Sequence, residues 1–236
     1  MSAYKRVLLK VSGEMLSGGH KGGVDPTFVQ WLAAEVKQIS DAGIELLIVV
    51  GGGNMVRGAE VAGNGIQKVT GDQMGMLSGM INALAVKDIF ESEGIAARCL
   101  STIFAEQVVD SYSPRVAEKH LSKKHVVLLA GGMSRPFFTH DSAAVTFGLE
   151  MGCDVVLKST KVDGIYDKDP AKHNDAQLFE TISYQRAIED QDIKVMDKAA
   201  LGIAMDQHIP VIVFNLAKEG NALKAASGEK IGTLVS

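Results

Sequence analysis

Four short segments of the chain place glycines or basic side chains directly after apolar runs that have the composition of buried strands. They read KVSGE at 10–14, GGGNMVRG at 51–58, AGGMSRPFFTHDS at 130–142 and KSTKVDG at 158–164. Backbone N–H groups beside glycines can converge on phosphate oxygens, and lysine or arginine adds the opposite charge. The four segments therefore predict binding of a phosphate-bearing ligand.

Three consecutive glycines at 51–53 need a physical reason, because each costs about 0.5–1 kcal/mol relative to alanine inside regular structure. A tight turn from a strand into a helix is one explanation. The close approach of a phosphate is the other, and the three similar loops favour it. Common phosphate motifs do not fit. GEMLSGGH at 13–20 lacks the Gly-Lys of a Walker A loop, Val56 interrupts the dinucleotide pattern GxGxxG, and the kinase motifs HRD and DFG are missing from the sequence.

Strand and helix patterns alternate along the chain and must position these loops. Apolar runs predict strands at YKRVLLKVSG, IELLIVV, IAARCLS, HVVLLAGG, CDVVLKST, IPVIVFN and KIGTLVS. Strands with several consecutive apolar positions are typical of parallel sheets that are covered on both faces. We therefore expect an α/β fold, with a mostly parallel sheet and helices on both faces, formed by residues 1–236 as a single domain.

Two predicted helices have strong local signals. At 24–43, Asp25 is expected as the N-cap, Pro26 in the first turn and Gly43 at the end. A longer helix over about 70–92 has an apolar side made of Met76, Leu77, Met80, Ile81 and Leu84. Further apolar residues on this helix, which indicate a contact between subunits of a homo-oligomer, are Met74, Ile89 and Phe90.

The composition argues against several other classes of function. The chain has 236 residues and a net charge of −4, which does not suit a nucleic-acid partner. No segment reaches the ~18 apolar residues of a membrane span, and the N-terminal apolar run is too short for a signal peptide. Cys99 and Cys153 are expected as buried, reduced thiols, and His120 and His125 as solvated side chains rather than zinc ligands. We therefore expect a cytoplasmic protein, and no metal ligands are assigned.

The complete set of motifs resembles one specific family. YKRVLLKVSGE, VVGGGNMVRG, TGDQMGM, PFFTHDSAA, DVVLKSTKVDGIYDKDP, KVMD and GEKIGTLV occur in the order and with the spacing of bacterial UMP kinases (uridylate kinases), members of the amino-acid-kinase superfamily. The resemblance runs through essentially the whole chain. It implies a three-layer α/β sandwich and transfer of the ATP γ-phosphoryl group to UMP with Mg²⁺, giving UDP and ADP for pyrimidine nucleotide biosynthesis. It also implies a homohexamer that is activated by GTP and inhibited by UTP.

The same resemblance implies roles for particular residues. The ATP phosphates would lie near Lys10, Val11, Ser12, Gly13, Gly53 and Arg57, and the adenosine near Thr160, Tyr166 and Asp169. The catalytic groups would be Lys10, Asp141 and Lys194. UMP would be bound by Gly52, Asp72, Met133, Ser134, Arg135, Pro136, Phe137, Phe138, Thr139 and His140. Activation by GTP would involve Gly18, Gly19, His20, Lys21, Gly22 and Gly23.

Simpler explanations exist for four of these residues. Asp72 and Asp141 could be helix N-caps, a role that is worth about 1 kcal/mol. Lys194 could be a solvated surface lysine, and Tyr166 could be a packing residue.

The loop expected to wrap the acceptor departs from the family pattern. Where the family has Thr-Gly-Asn-Pro-Phe-Phe-Thr-Thr, this chain has MSRPFFTH at 133–140. Arg135, in place of asparagine, could form a bidentate pair with a phosphate, and His140, in place of threonine, could donate or accept a hydrogen bond.

Two other functions stay open beside the UMP kinase. One is a non-catalytic protein that binds or stores ATP and oxoanions on the same fold, and the altered acceptor loop is the point in its favour. The other is a kinase for a different small acceptor, such as an amino acid or a carbamate. The intact segment GDQMGM at 71–76 argues against this second alternative.

Overall fold

The computed structural model describes residues 2–57, 65–190, 193 and 196–236, and its centre is a nine-stranded sheet. The strands are β1 (Arg6–Val11), β2 (Glu45–Val50), β3 (Ala97–Ser101), β4 (Asp110–Ser111), β5 (Val126–Ala130), β6 (Val155–Thr160), β7 (Thr181–Ile182), β8 (Val211–Asn215) and β9 (Thr233–Val235). Their order across the sheet is β4-β3-β5-β2-β1-β6-β8-β9-β7. Neighbouring strands are parallel except β8 and β9, so the prediction of a mostly parallel sheet is confirmed.

Helices cover both faces of the sheet, as predicted. They are α1 (Gly13–Leu16), α2 (Pro26–Asp41), α3 (Lys68–Ser92), α4 (Pro114–Leu121), α5 (His140–Glu150), α6 (Tyr184–Glu189), α7 (Lys198–Gln207) and α8 (Asn221–Ser227). Side chains alternate across a strand, so Val7 and Leu9 of β1 pack towards α2, α3 and α8, whereas Leu8 packs towards α4–α7. The sheet therefore lies between two separate hydrophobic cores.

The ends of the helices follow local chemistry. Asp25 caps α2 by accepting a 2.9 Å hydrogen bond from the Thr27 N–H, and Gly43 turns the chain away at a φ of 78°, both as predicted. Thr139 caps α5 in the same way, which places Asp141 inside the first turn. Asp72 lies in the second turn of α3. The alternative explanation of these two aspartates as N-caps is therefore wrong.

The apolar side of α3 differs from the prediction. Met76 and Met80 are buried, but Leu77 and Ile81 are 47% and 53% exposed. Leu77 and Ile81 are four residues apart and share the helix face that points away from the sheet. Phe90, which the sequence suggested as surplus apolar surface, is fully buried. The exposed apolar surface of α3 therefore includes Leu77 and Ile81, and Phe90 does not contribute to it.

Three short elements escaped the sequence analysis. They are the single turn α1 and the two-residue strands β4 and β7, which are too short to show a periodic pattern. The polar segment that follows β6 is a long turn-rich loop, in which Tyr166 and Leu178 form an antiparallel bridge. Cys99 and Cys153 are buried and free, as expected. No helix among the described residues is long and apolar enough to cross a bilayer.

The four candidate loops follow β1, β2, β5 and β6, which lie next to one another in the order β5-β2-β1-β6. Because these strands are parallel, their carboxyl ends meet at one edge of the sheet. Ligands of open α/β sheets bind at this edge. The fold thus brings together four segments that are up to about 150 residues apart in sequence.

Candidate active site

Two lysines and one aspartate form the buried centre of the site. Lys10 of β1 and Lys158 of β6 are paired in register on neighbouring parallel strands, so both side chains leave the same face. Asp141, in the first turn of α5, lies above them. Its Oδ1 is 2.8 Å from the Nζ of Lys10 and 2.5 Å from the Nζ of Lys158. All three side chains are at most 13% exposed.

The charges of this triad are strongly coupled. Burial alone would raise the pKa of Asp141, but Lys10 and Lys158 outweigh it and hold that pKa below its usual value. Burial, and then the charge of Lys10, lower the pKa of Lys158 to about 8, although Asp141 opposes this shift. With both lysines protonated the triad carries one net positive charge. Such an environment favours a ligand that brings negative charge.

Lys158 was missed by the sequence analysis, which assigned the second lysine to position 194. Lys194 lies outside the described residues. Within the strand VVLKST, Lys158 follows three apolar residues and is itself 8% exposed. A lysine in a buried parallel strand is unusual because burial disfavours its charge. That signal, a charged residue inside a predicted buried strand, was present in the sequence.

The larger of two adjoining cavities on one side of the triad has a volume of about 820 Å³. It is lined by Lys10, Ser12, Asp141, Lys158 and Thr160, together with Glu14 from α1. The second cavity, about 630 Å³, shares Thr160 and Val162 with the first and is lined by Tyr166 and Asp169. The structure thus brings together most residues expected for ATP. Val11 packs into the core instead, and Gly13 contacts the neighbouring loop.

A smaller cavity of about 280 Å³ lies at the start of α3. Five of the residues expected for UMP line it, namely Gly52, Asp72, Phe138, Thr139 and His140. Gly53 and Arg57, which the sequence analysis placed on the ATP side, line this cavity too. Arg57 pairs with Glu14, whose side chain lines the 820 Å³ cavity. His140 lines the smaller cavity and the next residue, Asp141, lines the larger one, so α5 begins between the two.

The glycines at 52 and 53 have different surroundings. A Cβ at Gly52 would lie 2.4 Å from the Gly75 carbonyl oxygen and 2.8 Å from the Gly79 nitrogen, so this loop packs directly on α3. At Gly53 the nearest atom to an added Cβ would be a Glu14 oxygen at 3.8 Å. Helix packing thus accounts for glycine at 52. At 53 a Cβ would meet no close contact, and the residue lines the 280 Å³ cavity.

The acceptor loop is the irregular part of the site. Met133 packs against the core, whereas Arg135 is exposed and donates a 3.3 Å hydrogen bond to the carbonyl of Ser134. Ser134 and Phe137 have positive φ values of 51° and 71°. Met133 to Phe137 do not belong to the lining of the 280 Å³ cavity, and Pro136 is half-buried. The expected contact between Arg135 and a phosphate is therefore not preformed.

His140 has an unusual environment. Its Nε2 is buried and has no hydrogen-bond partner among the described residues. The ring fits because residue 79 is glycine: a Cβ at Gly79 would lie 2.5 Å from Nε2. Burial, and then the charge of Lys10, lower the pKa of His140 to about 4, so the imidazole is neutral near pH 7.

The segment 18–23 is tied to the glycine loop. Asn54 donates a 2.5 Å hydrogen bond through Nδ2 to the Gly23 carbonyl. The backbone carbonyl of Asn54 accepts a hydrogen bond from the Gly23 N–H. Asn82 of α3 donates to Oδ1 of Asn54 and to the Gly51 carbonyl. Gly22 and Gly23 thus contact the loop that lines the 280 Å³ cavity. A Cβ at Gly22 would lie 2.8 Å from the Asn54 carbonyl oxygen.

The donor set around the triad suits a metal ion that arrives with a nucleotide. Within the described part of the chain, no group of three or more His, Cys, Asp or Glu side chains is placed to hold a metal. Asp141 is a buried carboxylate with lone pairs left beside its two lysines. Mg²⁺ is usually bound by one or two carboxylates together with substrate phosphates rather than by a protein cage. One carboxylate next to a phosphate-sized space fits that pattern.

Comparisons with known proteins agree over nearly the whole length. The model of the amino acid kinase family matches residues 5–215. The uridylate kinase of Dichelobacter nodosus (strain VCS1703A) is 44% identical over 232 residues, which cover 98% of this chain and 96% of that protein. The uridylate kinase of Xanthomonas oryzae pv. oryzae is 45% identical over 233 residues, which cover 99% and 97%.

Solved structures give the same result for the fold. The crystal structure of UMP kinase from Bacillus anthracis superimposes with a TM-score of 0.93 at 34% identity and covers 99% of this chain and 96% of that one. The UMP kinase of Ureaplasma parvum has a TM-score of 0.90 at 30% identity, with 98% of each chain covered. These similarities extend over the triad and the cavities on both sides of it.

Proposed function

The chain belongs to the amino acid kinase family, and on this basis we propose that it is a UMP kinase, which transfers the γ-phosphoryl group of ATP to UMP and forms UDP and ADP. The observation that carries the proposal is the buried triad of Lys10, Asp141 and Lys158 between two separately lined spaces. ATP would occupy the two larger cavities. UMP would occupy the smaller one.

The reaction needs positioning and positive charge more than proton transfer. The nucleophile is a phosphate oxygen of UMP, which is already largely ionised at pH 7 since the second pKa of a phosphomonoester is about 6. No general base is required, and charge spreads over the transferring group in the transition state. Lys10 and Lys158 stabilise that charge from a preorganised, water-poor position. One such group typically contributes about 10²–10³ in rate.

Asp141 acts in this mechanism through the two lysines. Two ammonium groups on adjacent strands repel each other, and the shared carboxylate holds both in place. Asp141 is also the protein residue that would hold Mg²⁺ beside the ATP phosphates. The metal ion, when bound, neutralises charge on the donor phosphates.

The acceptor side would hold UMP through three groups. The backbone at Gly53 and the guanidinium of Arg57 face the space next to the triad and suit the UMP phosphate. Asp72, which lines the same cavity, suits a hydroxyl group of the nucleoside, since a carboxylate accepts hydrogen bonds. His140 also lines this cavity and supplies a neutral donor or acceptor.

A coupled assay of ADP release tests this proposal. The purified protein is given ATP with Mg²⁺ and, in parallel, UMP, CMP, dUMP or no acceptor. We expect the highest kcat/KM with UMP and little release without an acceptor. ATP binding without acceptor-dependent release would indicate a storage protein instead. A higher kcat/KM with another acceptor would overturn the assignment of UMP.

Assembly, regulation and location belong to the same proposal. The exposed apolar side chains Val69, Leu77 and Ile81 on α3 support a contact between copies of the chain, and the family resemblance suggests a homohexamer. The contacts of residues 18–23 with the glycine loop support a role in activation by GTP, and UTP would inhibit. Two buried free thiols suit a cytoplasmic protein.

A further inference from the structure

Lys68, Asp72 and Phe137 form a closed set of contacts at the outer wall of the acceptor cavity. The Nζ of Lys68 lies 2.5 Å from both carboxylate oxygens of Asp72, one helical turn away on α3. Asp72 Oδ2 also accepts a 2.9 Å hydrogen bond from the backbone N–H of Phe137. The carboxylate thus joins α3 to the acceptor loop.

Phe137 needs such a restraint. Its φ of 71° lies in the left-handed region, which bulky side chains rarely adopt. Its ring is 70% exposed, so burial does not hold it in this conformation. The Nζ of Lys68 lies 5.5 Å from the ring centroid, within the range of a cation–π contact. Lys68 therefore touches both the side chain of Phe137 and the group that binds its backbone.

The hydrogen-bond capacity of Asp72 leaves room for a ligand. An ionised carboxylate offers about four lone-pair sites. Lys68 and the Phe137 N–H take three of them in the structure. One site is left on a side chain that lines the acceptor cavity.

We propose that Lys68 is a positioning residue of the acceptor site: it fixes the Asp72 carboxylate so that this group holds Phe137 in its left-handed conformation and keeps one oxygen lone pair for a hydroxyl of the acceptor nucleoside. The second part rests on the proposed function. Nothing in the proposal requires Lys68 to touch the nucleotide.

Electrostatics agree with this geometry. Burial would raise the pKa of Asp72, but the hydrogen bonds from Lys68 and from the Phe137 N–H outweigh it and hold that pKa below its usual value. Without Lys68 the carboxylate loses its strongest partner and is free to rotate. The hydrogen bond to Phe137 and the free lone pair then lose their fixed directions.

The test uses Lys68→Met, with Lys68→Arg as the conservative variant and Lys37→Met as the matched control. Lys37 pairs with Asp41 at the same spacing on α2, away from the site. In the ligand-free protein, amide hydrogen exchange is measured for a peptide that contains Phe137. We expect exchange to be about three- to fivefold faster in Lys68→Met, which corresponds to the upper end of the stabilisation measured for half-exposed ion pairs. We expect little change in exchange in Lys68→Arg or Lys37→Met.

The kinetic arm is a double-mutant cycle with Phe137→Gly. Glycine adopts a positive φ without strain. In the Phe137→Gly variant, residue 137 therefore depends less on Lys68 and Asp72 to keep this conformation. We expect Lys68→Met to raise the KM for UMP by about threefold or more in the parent and by clearly less in the Phe137→Gly background, with the KM for ATP unchanged. If Lys68→Met raised the KM for UMP by the same factor in both backgrounds, Lys68 would contact UMP directly, and the positioning role would be overturned.

The two arms separate this inference from the proposed function. If the parent turns over UMP but exchange at Phe137 does not respond to Lys68→Met, the positioning role of Lys68 is wrong and the UMP kinase function stands. If exchange responds but the parent does not use UMP, Lys68 does position Asp72 against Phe137. The proposed contact of Asp72 with a hydroxyl of the nucleoside then fails.

Discussion

The two sides of the site are built from different kinds of structure. The donor side has its charged groups on β1, β6 and the first turn of α5, with side chains that are at most 13% exposed. The acceptor side depends on a loop in which Ser134 and Phe137 have positive φ and two phenylalanines are exposed. Under the proposed function, the core would therefore hold the catalytic charges, whereas a few polar contacts of an exposed loop would determine the choice of acceptor.

This difference has an energetic consequence. Buried groups on strands are preorganised, because packing fixes them before any ligand arrives. A loop held by few contacts lies at the low-stability end of the molecule and changes more easily. Three of the departures from the family pattern, Met133, Ser134 and Arg135, lie in that loop. If the two sides are independent, substitutions on the donor side and on the acceptor side should change different kinetic constants.

The largest expected effect comes from Lys10→Met. Loss of one preorganised charge should lower kcat by about 10²–10³. The fold should persist because Asp141 keeps its contact with Lys158, so no buried charge is left unpaired. Steady-state kinetics and far-UV circular dichroism check both parts, with Lys37→Met as the control. A folded variant within threefold of the parent's kcat would show that Lys10 is not needed for transfer.

The next effect comes from Asp72→Ala on the acceptor side. Loss of a hydrogen bond to a charged group should raise the KM for UMP by about 10- to 100-fold, with the KM for ATP nearly constant. Asp72→Asn, which keeps one carbonyl oxygen, should lie between the parent and the alanine variant. A change in the KM for ATP instead would place Asp72 on the wrong side of the site.

A smaller effect is expected from pH. The pKa of Lys158 is lowered to about 8, so its ammonium loses a proton there rather than near the ordinary value of about 10.4. Above that pH the free enzyme lacks one positive charge. Therefore kcat/KM for ATP should fall by about fivefold between pH 8 and 9.

Lys158→Arg is the control for this profile. A guanidinium stays protonated throughout this range, so the decline should disappear even if the overall rate is lower. A parent profile that stays flat to pH 9.5 would contradict the role given to the Lys158 charge.

The smallest effect is expected from Arg135→Asn. The guanidinium is exposed and donates within its own loop, outside the lining of the acceptor cavity. We expect calorimetry to give UMP affinities within about threefold of each other, since surface substitutions usually change free energies by less than about 0.5 kcal/mol. A loss of tenfold or more would mean that the loop moves and brings Arg135 to the phosphate, as the sequence first suggested.

The strand and helix order, the capping of α2 by Asp25 and the position of α3 were predictable because they depend on local patterns. The exposure of Leu77 and Ile81 was not, since it depends on which side of α3 meets the sheet. Short elements such as α1 have too few residues for a pattern.

The candidate site was predictable to a similar extent. Lys10, Asp72 and Asp141 were found through motifs, and the structure places them around adjoining cavities. Lys158 was visible as a charged residue inside a predicted buried strand, but its pairing with Lys10 depends on strand register, which one sequence does not display. The contact of Lys68 with Phe137 depends on a loop conformation that no local pattern predicts.

Calorimetric titration of UMP into Lys10→Met tests the central claim most directly, namely that the donor charges and the acceptor site act separately. We expect this variant, although nearly inactive, to bind UMP within about twofold of the parent, because Lys10 is proposed to act on the transferring group and not on the acceptor. Loss of UMP affinity by the same factor as kcat would contradict it.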